Sequence, residues 1–164
     1  MGIKYELAQD ILERLYDIAK KIGMEHVKFS GVYAVRSRGS TSVGTIARCH
    51  ALSRIWQKCL DIKAVYIIEI ISEKFDRMSR EEQDKTLIHE LMHIPKSFGG
   101  GFIHHNIVNH HNVEKLYRIY VNSGSGNLGL ERLEAEDKKR IANRDNIDKT
   151  EKRKRFDLGL FRFG

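Results

Sequence analysis

His89, Glu90 and His93 stand in the order His-Glu-x-x-His. On a helix, positions i and i+4 share one face about a turn apart, so both imidazoles can reach a single ion. Zinc takes histidine nitrogen at about 2.0–2.1 Å. The glutamate after the first ligand then stands beside the metal. It can take a proton from bound water, whose pKa zinc lowers towards ~7, while the same ion polarises a carbonyl. Residue type and spacing therefore predict zinc on His89 and His93, with Glu90 as general base for hydrolysis of a peptide bond. An ordinary buried helix with two histidines matches the same short pattern, so the flanking sequence has to decide.

The flanks are those of a helix. Ser79-Arg80-Glu81-Glu82 fits a capping box. Leu87, Ile88, Leu91 and Met92 would bury the helix, and Pro95, the only proline, should end it by pushing Ile94 towards an extended conformation. Gly99 to Gly101 make a flexible turn.

A catalytic zinc needs a third protein ligand and one open position. The candidates are His104, His105, His110, His111 and Glu114. The longer pattern with a glycine and then a third histidine fails, because Lys96 and Gly99 occupy those positions. Glu114 lies about twenty residues beyond His93, near the spacing of glutamate-ligand zincins, but without their Asn-Glu-x-x-Ser-Asp context. A helix expected over about 106–121 puts His110 on an inward stripe with Val113, Tyr117 and Tyr120. His105 falls near the start of that helix, just after the glycine turn.

Other elements must position these residues. Residues 4–22 read as one amphipathic helix, with Leu7, Ile11, Leu12, Leu15, Ile18, Ala19 and Ile22 on a stripe and Gly23 as its stop. Residues 26–37 alternate as a strand with Val27, Phe29, Tyr33 and Val35 on one face. A loop over 37–44 leads to a second strand over 45–52, then a short helix or turn over 53–60 with Trp56 in the core. Ala64 to Ile71 is the clearest strand, apolar on both faces apart from Glu69. The expected fold is α+β: an N-terminal helix, a small mixed or antiparallel sheet whose edge a substrate strand could join, the His89–His93 helix, and a third-ligand helix. The expected boundary lies at residue 122, with 123–164 a charged extension, part helix or mobile tail, that turns apolar at Phe156 to Gly164.

Composition sets outer limits. The chain has 164 residues, 41% hydrophobic and 31% charged, enough for one ordinary domain with a core. No run approaches the ~18 apolar residues of a membrane span. The acids Glu6, Asp10, Glu13 and Asp17 argue against a signal peptide. Cys49 and Cys59 form no CxxC motif, and a reduced cytoplasmic setting is the simple expectation. The net charge of +7 allows an acidic partner such as nucleic acid, and Lys152 to Arg155 form an unbroken basic run. Arg36, Arg38, Arg48 and Arg54 around the Ser/Gly-rich loop read as a surface for substrate or phosphate, or as a solvated hairpin end. Glu69 reads as a partner for a zinc ligand's second ring nitrogen, or for a nearby arginine. Tyr117 or Tyr120 is a candidate for oxyanion stabilisation, against the plainer reading of packing.

Several stretches also resemble a family. Ala34 to Ser40, Ile46-Ala47-Arg48, Ser53 to Trp56, Tyr66 to Glu69, Ser72 to Phe75 and His89-Glu90-Leu91-Met92-His93-Ile94-Pro95 resemble the metallopeptidases found in archaea and phages. In them the HELxHIP segment is followed by a Phe-x-Gly-Gly turn and then a histidine. Here that stretch reads Phe98-Gly99-Gly100-Gly101-Phe102-Ile103-His104-His105. The resemblance spans roughly residues 27–120 and implies a zinc peptidase with His105 as third ligand, His104 being the alternative. More loosely, the element order is similar to the SprT-like minimal zincins, some of which cleave proteins crosslinked to DNA. Two further readings stay open: a DNA-associated protein with a structural four-ligand zinc, and an interaction module with a vestigial site.

Overall fold

The computed structural model of the chain describes residues 2–123. The elements run β1 (Lys4–Leu7), α1 (Gln9–Lys21), a 3-10 turn (Phe29–Gly31), β2 (Val32–Arg38), β3 (Ala47–Ala51), α2 (Arg54–Leu60), β4 (Tyr66–Ile71), α3 (Ser72–Phe75), α4 (Arg80–Met92) and α5 (His110–Asn122). The fold is mixed α+β, five helices on a four-stranded sheet among the described residues, compatible with a small zincin-like metallopeptidase domain. The charged extension expected over 123–164 lies outside these residues except for Ser123.

Sheet order is β1-β2-β4-β3. β1 pairs antiparallel with β2, β2 parallel with β4, and β3 antiparallel with β4. The chain leaves β2, makes β3 at the far edge, and returns through α2 to fill the gap with β4. β4 therefore has a strand on each side, which suits its apolar sequence: Tyr66, Ile68 and Ile70 are fully buried on the inner face. α1 and α4 pack on that inner face, where Leu15, Ile18, Leu87, Ile88 and Leu91 complete the core. Arg14 of α1 is buried in this layer and donates to Asp84 at 2.7 Å, Gln83 at 2.7 Å and the Arg80 carbonyl at 3.1 Å, which fixes α1 against the first turns of α4.

Three expectations change. Residues 4–7 are a strand, not the first turn of a helix, and Leu7 is 81% exposed rather than on the buried stripe. Leu7 happens to stand in phase with the α1 stripe, but pairing with Val35 of β2 overrides local preference. In the second segment, the 3-10 turn shifts the phase by one residue. Val27 and Phe29 are buried before the strand begins, and within it Val32 and Ala34 face inward while Tyr33 does not. Finally, Trp56 is 58% exposed, because α2 buries none of its residues and meets the domain through Gln57.

Candidate metal centre

α4 carries the first three residues of interest. Its start is the expected capping box: the Glu82 amide donates to the Ser79 hydroxyl, and the Glu82 carboxylate accepts from the Ser79 amide. Leu87, Ile88 and Leu91 turn into the core. The adjoining face then carries His89 and His93 towards a cleft, and Glu90 is buried between α4 and β3.

Beyond Ile94 the chain reverses. Phe98 adopts φ 44° and Gly100 φ 82°, both in the left-handed region. The turn is clamped from two sides. Tyr66 in the central strand accepts from the Gly100 amide at 2.9 Å and donates to the Gly101 carbonyl at 3.0 Å. Gln57 donates to the Gly99 carbonyl at 3.3 Å and the Leu52 carbonyl at 2.7 Å. The returning chain pairs with the end of α4, where the Ile103 amide donates to the His93 carbonyl at 2.9 Å.

His105 arrives beside the other two histidines. The ligand nitrogens of His89, His93 and His105 all lie within 4.8 Å of one another, a group able to hold a metal ion. The donor set fits zinc, which accepts three imidazoles and keeps a fourth position for substrate chemistry. The orientation of His93 is fixed: its Nδ1 donates to the Ile103 carbonyl at 2.6 Å, which leaves Nε2 for the cleft, and its ring stacks on Phe102 at 4.3 Å. Burial, and then the neighbouring His93 and His105, push the His89 imidazole down to about 4, so it is neutral and able to ligate at neutral pH. Burial likewise lowers His93.

Glu90 is 6% exposed, and burial pushes its carboxyl up to about 7, against an opposing hydrogen bond from the Cys49 backbone amide. A carboxyl near the working pH is suited to both taking and returning a proton.

The remaining candidates stand apart from this group. His104 and His111 lie outside the group of three, though exposed as His105 also is. His110 is exposed at the first turn of α5 instead of facing inward, although it lines the cleft. The expected stripe is otherwise real, with Val113 buried and Leu116, Tyr117 and Tyr120 packed on the core. Glu114 is taken by Lys85 at 2.7 Å and Arg118 at 3.6 Å. Tyr120 donates to Asp17, and Tyr117 stacks with Lys85, so both belong to packing.

Glu69 partners no zinc-ligand candidate. It is 2% exposed and accepts from Arg48 at 3.3 Å and His50 at 2.8 Å, the arginine alternative. The four arginines do not form one surface. Arg36 binds Asp10 and Asp76, Arg38 lies near Glu6, Arg48 lines the cleft, and Arg54 is exposed at the start of α2.

The sequence reading weighed Cys49 only as a possible disulfide partner and missed its place beside the site. Its thiol lies on the inner face of β3, pushed up to about 12 by burial and the nearby Glu90, and so stays protonated. Cys49 and Cys59 are free thiols.

The cleft has a volume of about 790 Å³. One wall is β3 with the preceding residues Gly44 to Ile46. The other is α4 from Lys85 to His93, and Phe102, His105, His110 and Val113 close the end. Among the described residues, no helix is long and apolar enough to cross a membrane.

No curated protein and no solved structure matches the chain. A family model described as "Putative phage metallopeptidase" matches residues 3–138, most of the sequence, with the clamped turn and the three converging histidines inside that span. The chain belongs to this phage metallopeptidase family.

Proposed function

We propose that the chain is a zinc-dependent peptidase in which His89, His93 and His105 hold the metal and Glu90 is the general base. The observation that carries this reading is the convergence of three imidazoles beside one buried carboxyl at the end of an open cleft. Zinc, when bound, supplies a Lewis acid that polarises a carbonyl and acidifies water. The protein supplies the rest. His93 is held in one tautomer by Ile103. Glu90 is held in a desolvated setting where its carboxylate removes a proton from water and delivers it to the departing amine.

β3 offers the means of binding. Among the described residues it is an edge strand, so it can accept an extended peptide by backbone pairing. The parity of its ladder is set by two bonds, Leu52 amide to Val65 carbonyl and Ile71 amide to Ile46 carbonyl. Even-numbered residues from Ile46 to Leu52 therefore bond inward to β4, and the Ala47 and Ala51 backbones, with the Cys49 carbonyl, face outward from the edge, the Cys49 amide being held by Glu90.

A structural zinc would need four protein ligands. The grouping of three among the described residues favours the catalytic reading. The test is metal analysis alongside peptide hydrolysis in purified variants. Wild type binds about one zinc per chain. Glu90→Gln retains the metal and loses at least about a hundredfold in kcat, within the usual range for general acid–base catalysis. His105→Ala loses metal, whereas His110→Ala keeps it. Hydrolysis by Glu90→Gln at the wild-type rate would refute the proposed mechanism.

A further inference from the structure

β3 separates two sets of side chains. Ala47, Cys49 and Ala51 face inward, towards α4 and the core. Arg48 and His50 face the other way. They stand opposite Glu69 and Ile67 of β4, on the sheet face away from α1 and α4. Both also line the cleft, because β3 is its wall and the sheet ends there.

The Arg48 and His50 side chains converge on one anchor. The Glu69 carboxylate is 2% exposed, while the side chains of Arg48 and His50 are 35% and 51% exposed. Burial opposes the Glu69 charge, but hydrogen bonds from Ser37, His50 and Arg48 outweigh it and hold the carboxyl below its ordinary range. The negative charge is thus covered, and basic, hydrogen-bonding groups stand at the rim. Only one terminal nitrogen of the Arg48 guanidinium is engaged with Glu69. A guanidinium carries five donors, so a partly exposed Arg48 has the capacity to engage a further acceptor.

A peptide added to β3 would alternate as strands do. Its inward side chains would meet α4 and the three histidines. Its outward side chains would lie beside Arg48 and His50, at the cross-strand separation of about 4.5–5.5 Å. We propose that Arg48 and His50, anchored by Glu69, select substrates with an aspartate or glutamate at the outward-facing position next to the bond being cut. This rests on the peptidase reading and on β3 as the substrate edge. It adds a side-chain preference that the metal centre cannot supply, because Arg48 and His50 face away from it.

The experiment compares paired extended peptides that differ only in Glu against Gln at successive positions. Wild-type, zinc-loaded chain cleaves the acidic member of one pair with about fivefold higher kcat/KM, the scale of a favourable cross-strand charge pair. Arg48→Gln alone leaves Glu69 buried without its cation, so the decisive variant is Arg48→Gln with Glu69→Gln, its fold checked by thermal melting. In that double variant the ratio of kcat/KM for the acidic peptide over its Gln partner falls to about one, whatever the absolute rate. The preference also shrinks at high salt.

Equal rates for every pair in wild type, or a preference that survives in the double variant, overturn the proposal. A second arm keeps it separate from the peptidase reading: affinity of the same fluorescent peptides for the unloaded chain, measured by anisotropy. If no peptide is cut, the peptidase reading fails. The selectivity then stands on tighter binding of the acidic peptide that the double variant abolishes, and falls if the two peptides bind equally.

Discussion

Burying Glu90 against β3 has an energetic cost as well as a chemical use. Its folded carboxyl titrates at about 7, against an ordinary value of 4.5. Below pH 4.5 the group is protonated in both folded and unfolded chains and costs nothing. As pH rises to about 7 the unfolded chain ionises first, so folding of the metal-free protein is progressively penalised, and above that the penalty is complete. A shift of this size corresponds to at most about 3 kcal/mol. Metal-free Glu90→Gln is therefore expected to match wild type in urea unfolding at pH 4 and to exceed it at pH 8. Equal stability at both pH values would count against a desolvated Glu90. Of the site residues, His89, Glu90 and His93 were legible because their relation is one turn of one helix. His105 was legible only through the glycine turn and the family resemblance. The inward reading of His110 was misleading: periodicity gives a stripe, but the first turn of α5 extends past the core that the stripe covers.

Among elements, the turn from Ile94 to His105 does the most with the least regular structure. Gly100 is at φ 82°, and a Cβ there would collide with the Gln57 side chain and the Leu52 carbonyl. The Leu52 carbonyl is backbone and cannot swing aside. Gly100→Ala is expected to destabilise the fold by about 1–3 kcal/mol through overpacking. It should also weaken zinc binding, because the displaced turn carries His105; competition against a chelator measures this. The capping box of α4 could be read from four consecutive letters, and the structure has it. β1 could not, since its pairing partner lies some thirty residues away and its apolar residues also fit the helix that follows. The edge position of β3 was equally hidden. Strand order is a long-range property, and the return of β4 between β2 and β3 leaves no local mark.

At the scale of the molecule, the sheet has one face under α1 and α4 and another on which Tyr5, Leu7, Tyr33 and Ile67 are each at least 36% exposed. The proposed substrate selectivity and the proposed metal chemistry would fall on opposite sides of a single strand. A ligand that binds only the folded chain stabilises it by mass action, by about 2.7 kcal/mol at a free concentration of about 100 times Kd. Thermal unfolding of wild type should shift upward with added zinc, and His105→Ala should show little shift. A wild-type melting temperature indifferent to zinc would argue against the metal reading for the whole fold.

His93 and Ile103 are joined twice, amide to carbonyl and imidazole to carbonyl, before any ion arrives. Those two bonds close the short loop that separates the second histidine from the third. Part of the entropy of bringing His105 home is therefore met by neighbours in sequence, and the triad itself lies between residues 89 and 105. The groove is the opposite, since β3 reaches α4 from some forty positions upstream. The three imidazoles thus come from one contiguous stretch, while the groove beside them, and the Tyr66 and Gln57 bonds that hold the turn, are contributed from far upstream.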